Sequence, residues 1–229
     1  TASGHVADLT TASDGTWGRA VEPGDYTFQS VDPNNVYGAE WYHNHTAPSE
    51  ADEVTVSPGS TAVVDETLDA AGRIIGTVEN SSGAPVETWV DLYHAGTWDW
   101  AGLAYSSGGS YSFEGLRAGS YRVWFGSTGD YLGEYWNNRA EQGDDIVVLA
   151  GQTTGGIDAV LGEGGTVSGT ITSDDGMLSG DVYVVYYAES PLGWEWSDSH
   201  WASEGAGDWA FESGRMIPGD YKVSFSASG

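Results

Sequence analysis

Gly109-Ser110-Tyr111-Ser112-Phe113-Glu114-Gly115-Leu116-Arg117-Ala118-Gly119-Ser120-Tyr121-Arg122-Val123 is the stretch that decides the fold of this chain. Large apolar side chains alternate with small or polar ones on either side of a glycine-bearing turn, the period of half-buried strands. Its end recurs as Gly24-Asp25-Tyr26, Gly119-Ser120-Tyr121 and Gly219-Asp220-Tyr221, so the tyrosines at 26, 121 and 221 stand 95 and then 100 residues apart. One small sandwich domain fits each period.

Other segments keep the same order. Gly15-Thr16-Trp17, Gly109-Ser110-Tyr111 and Gly207-Asp208-Trp209 precede the three tyrosines. Beyond them, Glu40-Trp41-Tyr42-His43-Asn44 matches Glu134-Tyr135-Trp136-Asn137-Asn138, and Val54-Thr55-Val56 through Gly59 to Leu68 matches Ile146-Val147-Val148 through Gly151 to Leu161. New copies open at Gly72-Arg73-Ile74-Ile75-Gly76-Thr77-Val78 and Gly165-Thr166-Val167-Ser168-Gly169-Thr170-Ile171. The expected division is a partial repeat over 1–71, a complete one over 72–164 and a partial one over 165–229. Trp89-Val90-Asp91-Leu92-Tyr93 and Tyr183-Val184-Val185-Tyr186-Tyr187 read as further strands, and no window carries a helical stripe. Glycines fall at turns such as Ser82-Gly83, Ser107-Gly108-Gly109 and Asp175-Gly176, where a positive φ costs little. The fold expected is all-β, a series of tandem Ig-like antiparallel sandwiches.

A hydrophobic content of 39% is enough for packed cores, while a formal net charge of -27, from 34 acidic and 7 basic residues, repels phosphate backbones and anionic headgroups. Nucleic acid and membrane insertion are therefore not expected. There is no cysteine, which removes disulfides, thiolate metal sites and a cysteine nucleophile. The longest aliphatic run, Ile146 to Ala150, is far short of the roughly 20 residues that cross a bilayer. Thr1 is followed by neither a basic region nor an apolar one, so an internal piece or a processed chain is expected.

The opening Gly-x-Ile/Val-x-Gly-Thr-Val/Ile element, Ser82-Gly83-Ala84-Pro85-Val86 and the Gly109–Val123 stretch resemble the carboxypeptidase-regulatory-like, transthyretin-like and Cna B-type repeats of secreted bacterial surface proteins. The resemblance spans essentially the whole chain. It implies a prealbumin-like sandwich, an extracellular or cell-surface setting, and a structural or adhesive role, since such domains serve as spacers, stalks and accessory domains. Cna B-type domains often carry an isopeptide from a first-strand lysine; the single lysine here, Lys222, follows the Gly-Asp-Tyr element instead, so that cross-link is not expected.

The first copy begins where the middle one has reached Leu103, and the last stops after its Gly-Asp-Tyr strand. Two readings follow: a piece of a longer repetitive protein, or self-association in which the last copy of one molecule is completed by the first copy of the next, giving a head-to-tail filament.

With 11 Trp and 13 Tyr the chain is rich in aromatics. Trp98 and Trp100, and Trp194 and Trp196 with Trp201, lie at equivalent places in two copies. In a strand, residues two apart share a face, so each pair could stack on sugar rings while carboxylates bind hydroxyls. Burial as ordinary cross-strand pairs is the competing reading. The alternative function is accordingly a polysaccharide-binding or accessory module of a secreted glycoside hydrolase such as an amylase. His43 and His45 offer two nitrogens, too few for zinc; structural roles are expected there, with Glu40 and the Asn side chains bonding backbone groups. Asp32, Asp144-Asp145 and Asp174-Asp175 offer oxygens for structural calcium but lack the spacing of a calcium loop, so no cofactor is expected. No G-x-S-x-G, H-E-x-x-H or phosphate loop is present, and features repeated in each copy argue against a single active site.

Overall fold

The computed structural model describes residues 4–172, 181–204 and 209–227. The Gly207-Asp208 half of one motif, the Asp174-Asp175 pair and the Asp175-Gly176 turn fall outside these residues. Among the described residues all regular structure is strand, apart from a single 3₁₀ turn at Pro48–Glu50.

Before Gly72 lie four short strands: β1 (Gly24–Tyr26), β2 (Gln29–Ser30), β3 (Glu40–Trp41) and β4 (Val54–Val56). β1 pairs β4 and β2 pairs β3, both antiparallel. Gly15-Thr16-Trp17 belongs to no strand. That stretch is a turn closed by Ala12 N–H donating to the Thr16 carbonyl at 2.8 Å, and Trp17 leans on Phe28 with ring centres 5.3 Å apart.

The middle of the chain forms a two-sheet sandwich from β5 (Gly72–Asn80), β6 (Trp89–His94), β7 (Trp100–Tyr105), β8 (Ser110–Leu116), β9 (Gly119–Phe125), β10 (Glu134–Tyr135), β11 (Ile146–Val148), β12 (Thr153–Thr154) and β13 (Ala159–Leu161). One sheet runs β10-β9-β6-β7 with β11 also on β9; the other joins β8, β12 and β13 to β5. The expected antiparallel pattern holds except that β12 and β13 lie parallel to β5, at either end of its length. The alternation read from sequence is the packing: Val90, Leu92, Tyr121, Val123 and Phe125 from one sheet meet Ile74, Val78, Tyr111 and Phe113 from the other, all buried. Each such side chain contributes about 1.5–3 kcal/mol of apolar burial.

The last strands are β14 (Ser168–Ile171), β15 (Val182–Ser190), β16 (Gly193–Trp201), β17 (Ser203–Glu204), β18 (Trp209–Glu212) and β19 (Tyr221–Ala227). They form the sheets β14-β18-β17 and β16-β15-β19, around a second buried cluster that includes Val182, Val184, Tyr186, Trp209 and Met216.

Two motifs now have physical reasons. In every copy the tyrosine of Gly-x-Tyr turns its hydroxyl back to a carbonyl four residues upstream: Tyr26 to Glu22 at 2.6 Å, Tyr121 to Arg117 at 2.9 Å and Tyr221 to Ile217 at 2.5 Å. This is the tyrosine corner of Ig-like sandwiches, which fixes the chain where it enters a late strand. The second glycine of each opening is fixed by close approach: a Cβ on Gly76 would collide with the Ile157 carbonyl, in the segment joining β12 to β13, and one on Gly169 would press on the Phe211 ring.

Two aromatic sheet faces form the candidate binding site

The outer face of the β6-bearing sheet is built by cross-strand pairing. Trp89 stands opposite Tyr105, and Tyr93 opposite Trp100. Trp100 and Tyr105 are five residues apart, an odd spacing that in a regular strand sends side chains to opposite faces. A bulge resolves it: β7 holds one extra residue, Ala101, between the partners of Leu92 and Tyr93, and both aromatics emerge on one side.

The same device recurs in the last sheet. Tyr183 stands opposite Trp201 and Tyr187 opposite Trp196, with Ser197 as the extra residue between the partners of Tyr186 and Tyr187. Tyr187 also pairs Lys222 as Tyr93 pairs Arg122. Trp89, Tyr93, Trp100, Tyr105 and Arg122 thus correspond to Tyr183, Tyr187, Trp196, Trp201 and Lys222.

All five sequence-selected tryptophans are exposed: Trp98 by 38%, Trp100 by 58%, Trp194 by 37%, Trp196 by 65% and Trp201 by 59%. Burial in the core is thereby excluded for them. Cross-strand packing does occur beside the exposure, with Tyr183 and Trp201 centres 4.7 Å apart and Trp89 and Tyr105 centres 4.9 Å apart. The exposed faces of the rings remain open to solvent.

One expectation is corrected. Trp98 does not share a strand with Trp100; it sits in the β6–β7 turn with φ 63°, a left-handed conformation that a bulky residue rarely adopts. The alternation of Thr97-Trp98-Asp99-Trp100 imitates a strand, but the chain reverses there through Trp98 N–H donating to the His94 carbonyl and His94 N–H to the Asp99 carbonyl, both at 2.9 Å. Trp98 still joins the face. Its ring lies 5.8 Å from that of Tyr135 and 6.2 Å from that of Tyr93, and the Arg122 guanidinium sits 4.4 Å from its centre. Trp194, by contrast, is in β16 as expected, and Lys222 Nζ lies 4.4 Å above its ring.

Polar groups border both faces. Trp100 Nε1–H donates to Asp91 at 3.2 Å, and Arg122 is held by Asp145 at 2.8 Å. Beneath the turn His94 is buried, its ring 5.1 Å from that of Tyr121, and burial holds its imidazole below the usual histidine value. Burial likewise pushes the Tyr121 phenol up to about 12.

The remaining candidates are structural. His43 and Asn44, like Asn137 and Asn138, are consecutive left-handed residues of a hairpin turn. Asp52 accepts from His43 Nδ1 at 2.7 Å and lies 3.7 Å from His45; at the corresponding turn Asp144 accepts from Asn137 at 2.6 Å and pairs with Arg139 at 3.4 Å. Among the described residues no cluster of three or more metal-ligating side chains is formed. Asp32 caps its own turn, accepting from the backbone N–H groups of Asn34, Val36 and Tyr37, which together hold its carboxyl below the usual range. Glu40 corrects a second expectation: its buried carboxylate accepts from Arg117 Nε at 2.9 Å instead of bonding backbone, and Asn44 Oδ1 accepts from Arg117 Nη2 at 3.2 Å. Lys222, engaged with Trp194, projects from the outer face of its sheet.

The chain is thus an all-β protein of antiparallel sandwiches that presents two register-matched aromatic faces. No protein-family model and no curated protein sequence matches it. Among solved structures it is similar to a streptococcal ancillary pilin, at 8% identity and a TM-score of 0.38 over 91% of this chain and 73% of that one. It is also similar to the Bacillus anthracis TIE protein, at 11% identity and a TM-score of 0.34 over 91% of this chain and 38% of that one.

Proposed function

We propose that this chain is a non-catalytic adhesive stretch of an extracellular or cell-surface protein, built of three repeats over 1–71, 72–164 and 165–229, whose aromatic sheet faces bind polysaccharide. The observation that carries the reading is the paired placement of Trp100 and Trp196. Each is exposed, each stands opposite a tyrosine, and each is brought onto its face by a bulge at the same register. Folding alone gains little from leaving such rings in water, and contiguous exposed aromatic surface marks an interaction site. Pyranose rings offer apolar C–H faces to stack on indoles and hydroxyls for the bordering carboxylates and phenols.

The charge pattern favours a neutral glycan. Arg73, Arg117, Arg122, Arg139 and Arg215 are each paired with a carboxylate, and Lys222 is covered by Trp194. A uronate or sulfate would meet neutralised cations in a strongly negative field.

Affinity electrophoresis through gels carrying soluble starch, xyloglucan, galactomannan or polygalacturonate tests this. Retardation is expected in at least one neutral gel and not in polygalacturonate. Free migration in every gel overturns the sugar-binding role.

A further inference from the structure

The first repeat reaches across to the second at the very tip that carries Trp98 and Trp100. Asp99, between the two indoles, is held by Ser49 from the 3₁₀ turn Pro48–Glu50: the Ser49 backbone N–H donates to Asp99 Oδ2 at 3.3 Å and the Ser49 hydroxyl donates to the same oxygen. These bonds, the hydroxyl first, keep the Asp99 carboxyl below the usual range. The clamp is anchored a few residues upstream, where Ala39 N–H donates to the Gly115 carbonyl at 3.0 Å and Arg117 grips Glu40 and Asn44. Gly38 fits so closely against the Arg117 backbone that a Cβ there would lie 2.7 Å from Arg117 Cα.

Trp98 needs such support. A left-handed backbone costs a non-glycine residue roughly 1–2 kcal/mol and persists where its surroundings over-determine it. On one side stands the Arg122 stack; on the other, through the adjoining Asp99, the Ser49 clamp. Among the described residues the second face has no equivalent. The segment corresponding to Thr46–Ala51 is Ala140-Glu141-Gln142-Gly143, two residues shorter and without a serine, and Trp194 lies in a regular strand.

We infer that the preceding repeat sets the affinity of the middle face, with Ser49 and Asp99 as positioning residues that hold the Trp98 tip in its glycan-binding shape, while the last face works unaided. This inference rests on the sugar-binding reading of the same surface. The consequence is a coupling between how two neighbouring repeats are docked and how well one of them holds its ligand.

The test uses the whole chain carrying Trp196→Ala, so that the middle face alone reports, in whichever neutral gel retards the wild type. Adding Ser49→Ala is expected to weaken retention roughly three- to tenfold, the range of one lost ordinary hydrogen bond, and Ser49→Thr, which keeps the hydroxyl, to restore it. In a Trp100→Ala background, where the last face reports, Ser49→Ala is expected to change nothing. Unchanged retention of Trp196→Ala on adding Ser49→Ala overturns the inference and leaves the binding site standing, as does equal weakening in both backgrounds. A wild type retarded by no gel removes the site and the inference with it.

Discussion

The Arg122 guanidinium lies 4.4 Å from the centre of the Trp98 ring, and one repeat later Lys222 Nζ stands at the same 4.4 Å from Trp194. Arg122 and Lys222 face Tyr93 and Tyr187 at matching positions of the two sheets. The contact survives a change of cation and a change in the backbone under the indole, so the position of the charge over the ring is the repeated feature. A double-mutant cycle of Arg122→Ala with Trp98→Ala is expected to give a coupling of about 0.5–2 kcal/mol, read by urea unfolding. The exposed Lys222–Trp194 pair is expected near the lower end of that range. Coupling indistinguishable from zero at both sites contradicts the cation–π assignment.

The left-handed backbone at Trp98 gives an ordering that a regular strand would reverse. Trp98→Gly and Trp98→Ala both delete the indole and differ chiefly in backbone preference. Trp98→Gly is expected to be the more stable by about 1 kcal/mol, because alanine retains the positive-φ strain and glycine does not. Thermal denaturation of the two variants side by side checks this.

The tyrosine corner predicts a modest, repeated loss. Removing the Tyr121 hydroxyl by Tyr121→Phe leaves the Arg117 carbonyl without this donor and is expected to cost about 0.5–1.5 kcal/mol. Because that carbonyl belongs to the residue gripping Glu40, the same variant is expected to loosen the first repeat from the second. Faster hydrogen exchange at Ala39 N–H, which donates across that junction, is the readout.

Glu134 occupies the place of Glu40 in the next repeat, and Glu134 Oε1 is buried without a partner. Burial raises its carboxyl above the ordinary 4.5. The folded state therefore holds this proton more tightly than the unfolded chain, and stability falls as pH rises from 4.5 through the raised folded value. Glu134→Gln removes the charge that burial disfavours, so the variant is expected to melt above the wild type at neutral pH, with the gap closing toward pH 4.5. A gap that is constant with pH contradicts the assignment.

The strand character and the recurrence of Gly-x-Tyr were legible in the sequence because each depends on local chemistry: alternation, turn glycines and a tyrosine that bonds four residues back. The aromatic faces were legible in part. Pairing Trp194 with Trp196 needs only a period of two, whereas placing Trp201 beside them requires the bulge at Ser197, which no local pattern announces. Trp98 was misplaced because its turn has the alternation of a strand. The Glu40–Arg117 pair, 77 residues apart, and the parallel pairing of β13 on β5 are products of tertiary contact and have no local signal at all.

The central claim is that Trp100 and Trp196 are the hearts of two sugar-binding faces. Isothermal titration of the whole chain with the neutral polysaccharide that retards it, comparing wild type, Trp100→Ala, Trp196→Ala and the double variant, tests it most directly. Each indole lost is expected to remove about 1–3 kcal/mol from its own face, as for aromatic stacking on other ring ligands, so that the singles each lose one class of site and the double variant shows no measurable heat. A double variant that stays folded and binds as the wild type does would contradict the account.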